Sequence, residues 1–155
     1  VFIILPIRLF VIQPFIVSGE SMYPTFENRD YLIVDAISHK IEKPKRGEVV
    51  VFKYPYDNTR YFIKRIVGLP GETIKIDNGK VSINDVPLDE PYAGKMIENG
   101  FSIKLASDEL FVMGDNRPAS SDSRSWGPLQ EKYLVGRPLL RLYPIPEIGI
   151  LPGHI

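Results

Sequence analysis

A serine in a turn and a lysine on an apolar strand face are the residues of this chain whose types could do chemistry together. Lys64 sits at the centre of Tyr61-Phe62-Ile63-Lys64-Arg65-Ile66-Val67, which alternates like a half-buried β-strand. Residues two apart on a strand share a face, so Lys64 points the same way as Phe62 and Ile66. An ammonium group there is expensive unless it is paired or gives up its proton. The unperturbed lysine pKa is about 10.4, and apolar burial lowers it by as much as ~3–5 units, which turns the amine into a base. A base needs a nucleophile to serve. Ser21, in Gly19-Glu20-Ser21-Met22-Tyr23-Pro24-Thr25, is the conspicuous candidate, because a turn there could expose its hydroxyl and N–H together. Taken singly, both have plainer readings. Ser21 would be a turn residue, and Lys64 a strand lysine whose stem lies on the core while its head snorkels to water.

The elements that must position the pair read as β. Strands are expected at 31–37, 48–54, 61–67, 73–77, 80–84, 109–113 and 138–143, with a first strand at 11–17. Asn78-Gly79 between two alternating runs is a strong hairpin signal, since a two-residue turn needs positive φ. Tyr54-Pro55-Tyr56-Asp57-Asn58-Thr59 reads as a second turn. Residues 85–107 carry little periodicity and read as an excursion from the core. Gln130-Glu131-Lys132-Tyr133 could form one helical turn, and no repeat or linker is visible.

Composition narrows the classes. The 155 residues suit one domain, and 19 basic against 19 acidic residues predict no electrostatic grip on nucleic acid. Fourteen prolines and twelve glycines scattered among short apolar runs fit a β-rich protein with many turns. With no cysteine there is no disulfide, zinc–thiolate site or cysteine nucleophile. His39 and His154, the two histidines, have no neighbours at metal spacing, so no metal or other cofactor is expected. Residues 1–17 are apolar but broken by Pro6, Arg8 and Pro14, and are shorter than the ~20 residues that span a bilayer. The chain starts with Val1, so the expectation is a missing N-terminus, with 1–10 as the outer end of a transmembrane helix and 11–155 as the catalytic domain. A buried core strand with no membrane role is the alternative.

Three blocks in order resemble type I signal peptidase (leader peptidase), a membrane-anchored Ser–Lys endopeptidase. They are Ser18-Gly19-Glu20-Ser21-Met22-Tyr23-Pro24-Thr25 with Asp30-Tyr31-Leu32-Ile33-Val34, then Phe62-Ile63-Lys64-Arg65-Ile66-Val67-Gly68-Leu69-Pro70-Gly71-Glu72, then Gly114-Asp115-Asn116-Arg117-Pro118-Ala119-Ser120-Ser121-Asp122-Ser123-Arg124-Ser125-Trp126-Gly127. Arg46-Gly47-Glu48-Val49-Val50-Val51-Phe52 and Asp89-Glu90-Pro91-Tyr92 are also similar to the family, and the likeness runs from about Arg8 to Pro144.

The resemblance implies a mainly β, partly barrel-like antiparallel catalytic domain, with a hairpin and short excursion at 73–107, after the end of an N-terminal transmembrane helix. It implies Ser21 as nucleophile and Lys64 as general base. Ser120 would hydrogen-bond the Lys64 amine, Asp122 would pair with Arg124 and Arg65, and Gly114 would keep the space beside Lys64 open. Phe15, Val17, Met22, Leu32, Phe62 and Ile63 match the family's pocket walls, although all six also suit ordinary core packing. One departure is Gly19, where many members carry a serine that helps to bind the oxyanion; the Ser21 N–H is then one donor and the second is unassigned.

The implied activity is removal of signal peptides from secretory preproteins after Ala-x-Ala-like sites. The enzyme would be a single-pass monomer in the lipid bilayer, with its catalytic domain on the extracytoplasmic face of a cell or thylakoid membrane. Two other readings compete. One is a related Ser–Lys peptidase with another task, such as a dedicated maturation peptidase or a self-cleaving repressor-type protein; self-cleavage needs a cleavable segment upstream, whereas about twenty mostly apolar residues precede Ser21. A tethered module that binds peptides without cutting predicts a damaged dyad, whereas Ser21, Lys64 and Ser120 are all present.

Overall fold

The computed structural model describes residues 12–150 and 152–153; the segment read as an anchor, 1–10, lies outside them. The strands are β1 (Ile12–Ile16), β2 (Tyr31–Asp35), β3 (Val49–Tyr54), β4 (Asp57–Gly68), β5 (Thr73–Asp77) and β6 (Lys80–Ile83), then β7 (Val86–Pro87), β8 (Phe101–Lys104), β9 (Glu109–Met113), β10 (Leu129–Gln130), β11 (Leu134–Tyr143) and β12 (Gly149–Ile150). Among the described residues helix is confined to short turns, such as Ser38–Ile41 and Ser123–Trp126. Among the described residues no helix is long and apolar enough to cross a membrane.

The main sheet runs β1-β2-β11-β3-β4-β9-β10, with β12 on β11, and its strand pairs are antiparallel. β1 and β10 end this path unpaired with each other, so the described sheet is open and does not close into a barrel. A second sheet, β7-β6-β5-β8, is built on the hairpin expected at Asn78-Gly79. Both residues have positive φ, 50° and 71°, which a two-residue turn between twisted strands requires. The excursion expected at 85–107 contains β8, whose Phe101 and Ile103 are half-buried while Ser102 and Lys104 are exposed.

β4 runs beyond the expected 61–67 because the chain reverses between Tyr54 and Asp57, a tighter turn than the one expected at 54–59. From Ile63 to Gly68 it is buried on both faces. Ile63 packs with Met22, Phe26, Leu32 and Val49, and Val67 packs with Ile74, Phe111 and Met113. Ile66, from the other face, packs with Phe52, Leu110 and Val112, with Phe62 against them. The two-residue period therefore gives Lys64 and Arg65 opposite surroundings on one strand.

Candidate active site

Ser21 lies in the loop between β1 and β2. Its ends are tied by Val17 N–H to the Asp30 carbonyl (2.9 Å) and Arg29 N–H to the Val17 carbonyl (2.8 Å). Met22 and Phe26 are buried and plug the loop into the core, which leaves Ser21 half-buried beside them. A second loop holds the first from outside. Asn116 N–H donates to the Ser21 carbonyl (2.9 Å), Asn116 Nδ2 donates to the Glu20 carbonyl (3.0 Å), and the Thr25 hydroxyl donates to Asp115 Oδ2 (2.6 Å).

Lys64 reaches this loop. Its Nζ lies 2.7 Å from Ser21 Oγ and donates to the Ile63 carbonyl at 3.1 Å. The amine is buried and packs over the Phe62 ring, 5.1 Å from its centroid. Burial pulls its pKa down from the ordinary 10.5 to about 8, against the opposing pull of the Asp122 charge. With a pKa near 8, about a tenth of the amine is neutral at pH 7.

The third block is organised around Asp122, which is fully buried. It accepts from Arg124 Nε (2.8 Å), the Ser120 hydroxyl (2.7 Å) and Gly114 N–H (3.0 Å). Burial pushes its carboxyl up, but the Arg124 guanidinium and these hydrogen bonds outweigh burial and hold it below the usual carboxylate range. Two expected contacts are replaced. The Ser120 hydroxyl is bonded to Asp122 and not to Lys64, because an ionised carboxylate is the stronger acceptor.

Arg65 pairs with Asp115 and not with Asp122: Nε and Nη2 bind the two carboxylate oxygens at 2.9 and 2.7 Å, with both side chains buried. Strand parity turns Arg65 away from the Lys64 side, where Asp122 is already saturated by Arg124. Gly47 and Gly153 carbonyls (2.8 Å each) and the Tyr92 ring (4.0 Å) complete its surroundings.

Of the residues matched to pocket walls, Phe15, Phe62 and Ile63 line a groove of about 440 Å³ that also contains Ser21 and Lys64. Val17, Met22 and Leu32 are 2%, 1% and 0% exposed in the core and do not line it. Asp115, Asn116, Arg117 and Thr25 were not expected at the site. Nothing in the local sequence Asp115-Asn116-Arg117 shows that Arg117 is buried on Glu90 or that Asn116 spans to the serine loop.

Gly114 lets the loops meet. A Cβ there would overlap Ser120 Oγ and the Ser21 carbonyl oxygen. Gly114→Ala is therefore expected to lower kcat about a hundredfold, since a displacement of ~1 Å in a catalytic array costs about that much. A variant with kcat unchanged would show that the loops tolerate separation.

Comparison with known proteins places the chain in a family. Residues 1–143 match the family model described as signal peptidase, peptidase S26. A probable signal peptidase I-2 of Synechocystis sp. is 40% identical over 153 residues, covering 94% of this chain and 69% of that protein. A signal peptidase I of Leptolyngbya laminosa is 38% identical over 156 residues, covering 95% and 76%. The crystal structure of a signal peptidase I from Enterococcus faecalis superposes with a TM-score of 0.55 at 31% identity, over 62% of this chain and 97% of that one. The chain belongs to the signal peptidase family, peptidase S26, a family of serine endopeptidases that work through a Ser–Lys dyad.

Proposed function

We propose that Ser21 is the nucleophile and Lys64 the general base of a signal peptidase that removes signal peptides from secretory preproteins. The observation that carries this reading is the 2.7 Å approach of Lys64 Nζ to Ser21 Oγ by an amine whose pKa burial lowers to about 8. The neutral amine takes the Ser21 proton as Oγ attacks the scissile carbonyl. The oxyanion then meets the Ser21 N–H, which has no partner among the described residues, whereas the neighbouring Gly19 N–H is already bound to Asn28 Oδ1. Lys64 returns the proton to the leaving amine and next activates the water that releases the acyl group. Asp122, Arg124 and Ser120 keep the loop rigid beside the amine, and the Arg65–Asp115 pair holds it to β4.

Substrate would enter as an extended strand beside β1, which ends the main sheet with an edge free among the described residues. Phe15, Phe62 and Ile63 would wall the groove against large side chains near the cut, which favours small ones. Residues 1–10 would be the end of a single-pass anchor and 11–155 the catalytic domain, a monomer on the extracytoplasmic side of a cell or thylakoid membrane.

The test is cleavage of a preprotein with an Ala-x-Ala site by the full chain and by Ser21→Ala. The variant is expected to lose activity by about 10⁴-fold or more. Undiminished cleavage would remove Ser21 from the mechanism.

A further inference from the structure

Beside the groove lies a second cavity of about 320 Å³, whose lining includes Gln13, His39, Lys40, Lys53, Tyr61 and Lys132 and no acidic residue. Lys40, Lys53 and Lys132 are exposed, and none forms an ion pair among the described residues. In a chain with 19 basic and 19 acidic residues, this is a local excess of positive charge. The contrast is with a larger cavity of about 480 Å³. Its arginines are neutralised, Arg46 by Glu72 and Arg137 by Glu42 and Glu48. The His39 Nδ1 atom is also buried without a hydrogen-bond partner. Lys132 packs over the Tyr133 ring at 5.2 Å, but no carboxylate among the described residues pairs with the three lysines, so the cavity offers donors and positive charge that are not neutralised.

Its position points to the source of an anion. Tyr61 lines both this cavity and the Ser21 groove. Gln13 follows residue 10, the last of the segment read as an anchor, by three positions. Three residues span at most about 10 Å, which puts the cavity within reach of the headgroups of whatever membrane that segment enters.

We propose that this cavity binds a phosphate group, supplied by the headgroup of an anionic lipid. Bound there, the headgroup fixes the domain against the bilayer with the substrate groove alongside. The lipid source rests on the membrane reading above and not on the Ser21–Lys64 pair.

The experiment titrates the full chain in detergent micelles with soluble short-chain phosphatidylglycerol, short-chain phosphatidylcholine and inorganic phosphate, following binding by calorimetry. The Lys40→Gln/Lys53→Gln/Lys132→Gln variant is compared with Lys43→Gln/Lys80→Gln/Lys104→Gln, which removes three exposed lysines that do not line the cavity. The expected result is saturable phosphatidylglycerol binding that weakens about a hundredfold in the first variant and stays unchanged in the second. Each lysine near an anionic surface strengthens binding about fivefold.

Inorganic phosphate or phosphatidylcholine binding as tightly as phosphatidylglycerol overturns the anionic-lipid source. Equal losses in the two variants, or no saturable binding, overturns the site. Absent binding in a chain whose cleavage still needs Ser21 overturns this proposal alone; binding in a chain that Ser21→Ala leaves fully active overturns the peptidase reading alone.

Discussion

Lys64→Met is expected to abolish cleavage, by about 10⁴–10⁶-fold in kcat, while making the folded protein more stable at neutral pH. The loss follows from removing the base; in serine enzymes the members of such a unit each account for nearly the whole effect, so adding Ser21→Ala should lower activity no further. The gain follows from the same burial that activates the amine. A lysine held at about 8 in the folded state and 10.5 when unfolded binds its proton more weakly when folded.

The charged form is therefore a cost to folding of about 3 kcal/mol, present in full below pH 8 and gone above 10.5, so wild-type stability rises with pH through that window. Methionine has a similar shape and no charge, so its melting temperature should exceed the wild type's at pH 7 and the difference should shrink above pH 8. A variant that is inactive and also less stable at pH 7 would mean that Lys64 is a structural residue.

Asp115→Ala has the largest expected effect on stability. Its carboxylate is the acidic partner of the Arg65 guanidinium, and the two side chains are 0% and 1% exposed. Removing one member strands a buried charge, at a cost of about 3–5 kcal/mol, against a total stability of about 5–15 kcal/mol for a domain. It also takes away the acceptor of the Thr25 hydroxyl, and so loosens the serine loop. The double variant Arg65→Met/Asp115→Leu separates the two roles. With no charge stranded, most of the stability should return, because apolar replacements of buried pairs are often neutral; activity should stay low, because Thr25 still lacks its partner. Urea unfolding and kcat, measured on both variants, decide the matter. A loss below about 1 kcal/mol in Asp115→Ala would contradict the assignment.

What the sequence made visible were features written in local pattern. The alternation around Lys64 placed it with Phe62 and Ile66, and Asn78-Gly79 located the hairpin, because periodicity and positive φ are properties of short segments. Arg65 shows where this stops. Parity put it opposite Lys64, but its partner depends on which loop arrives there, and Asp115 is fifty positions away. Asn116 was missed for the same reason, since its two hydrogen bonds to the serine loop span about 95 residues. Leu32 and Met22 were ambiguous because an apolar side chain suits a pocket wall and a core equally; only packing separated them from Phe15 and Phe62. β11 starts at Leu134, four residues ahead of the strand expected at 138–143. Gly136 sits at a register irregularity and packs so closely on the Asp35 carbonyl that no Cβ fits, a close approach that only glycine permits.

The central claim is that burial makes Lys64 a base for Ser21. The most direct test is the pH dependence of kcat/KM for an Ala-x-Ala substrate, which reports ionisations of the free enzyme. With the Lys64 pKa at about 8, kcat/KM should rise tenfold for each pH unit below that value and level off above it. A profile that is flat across neutral pH, or highest in acid, would contradict it.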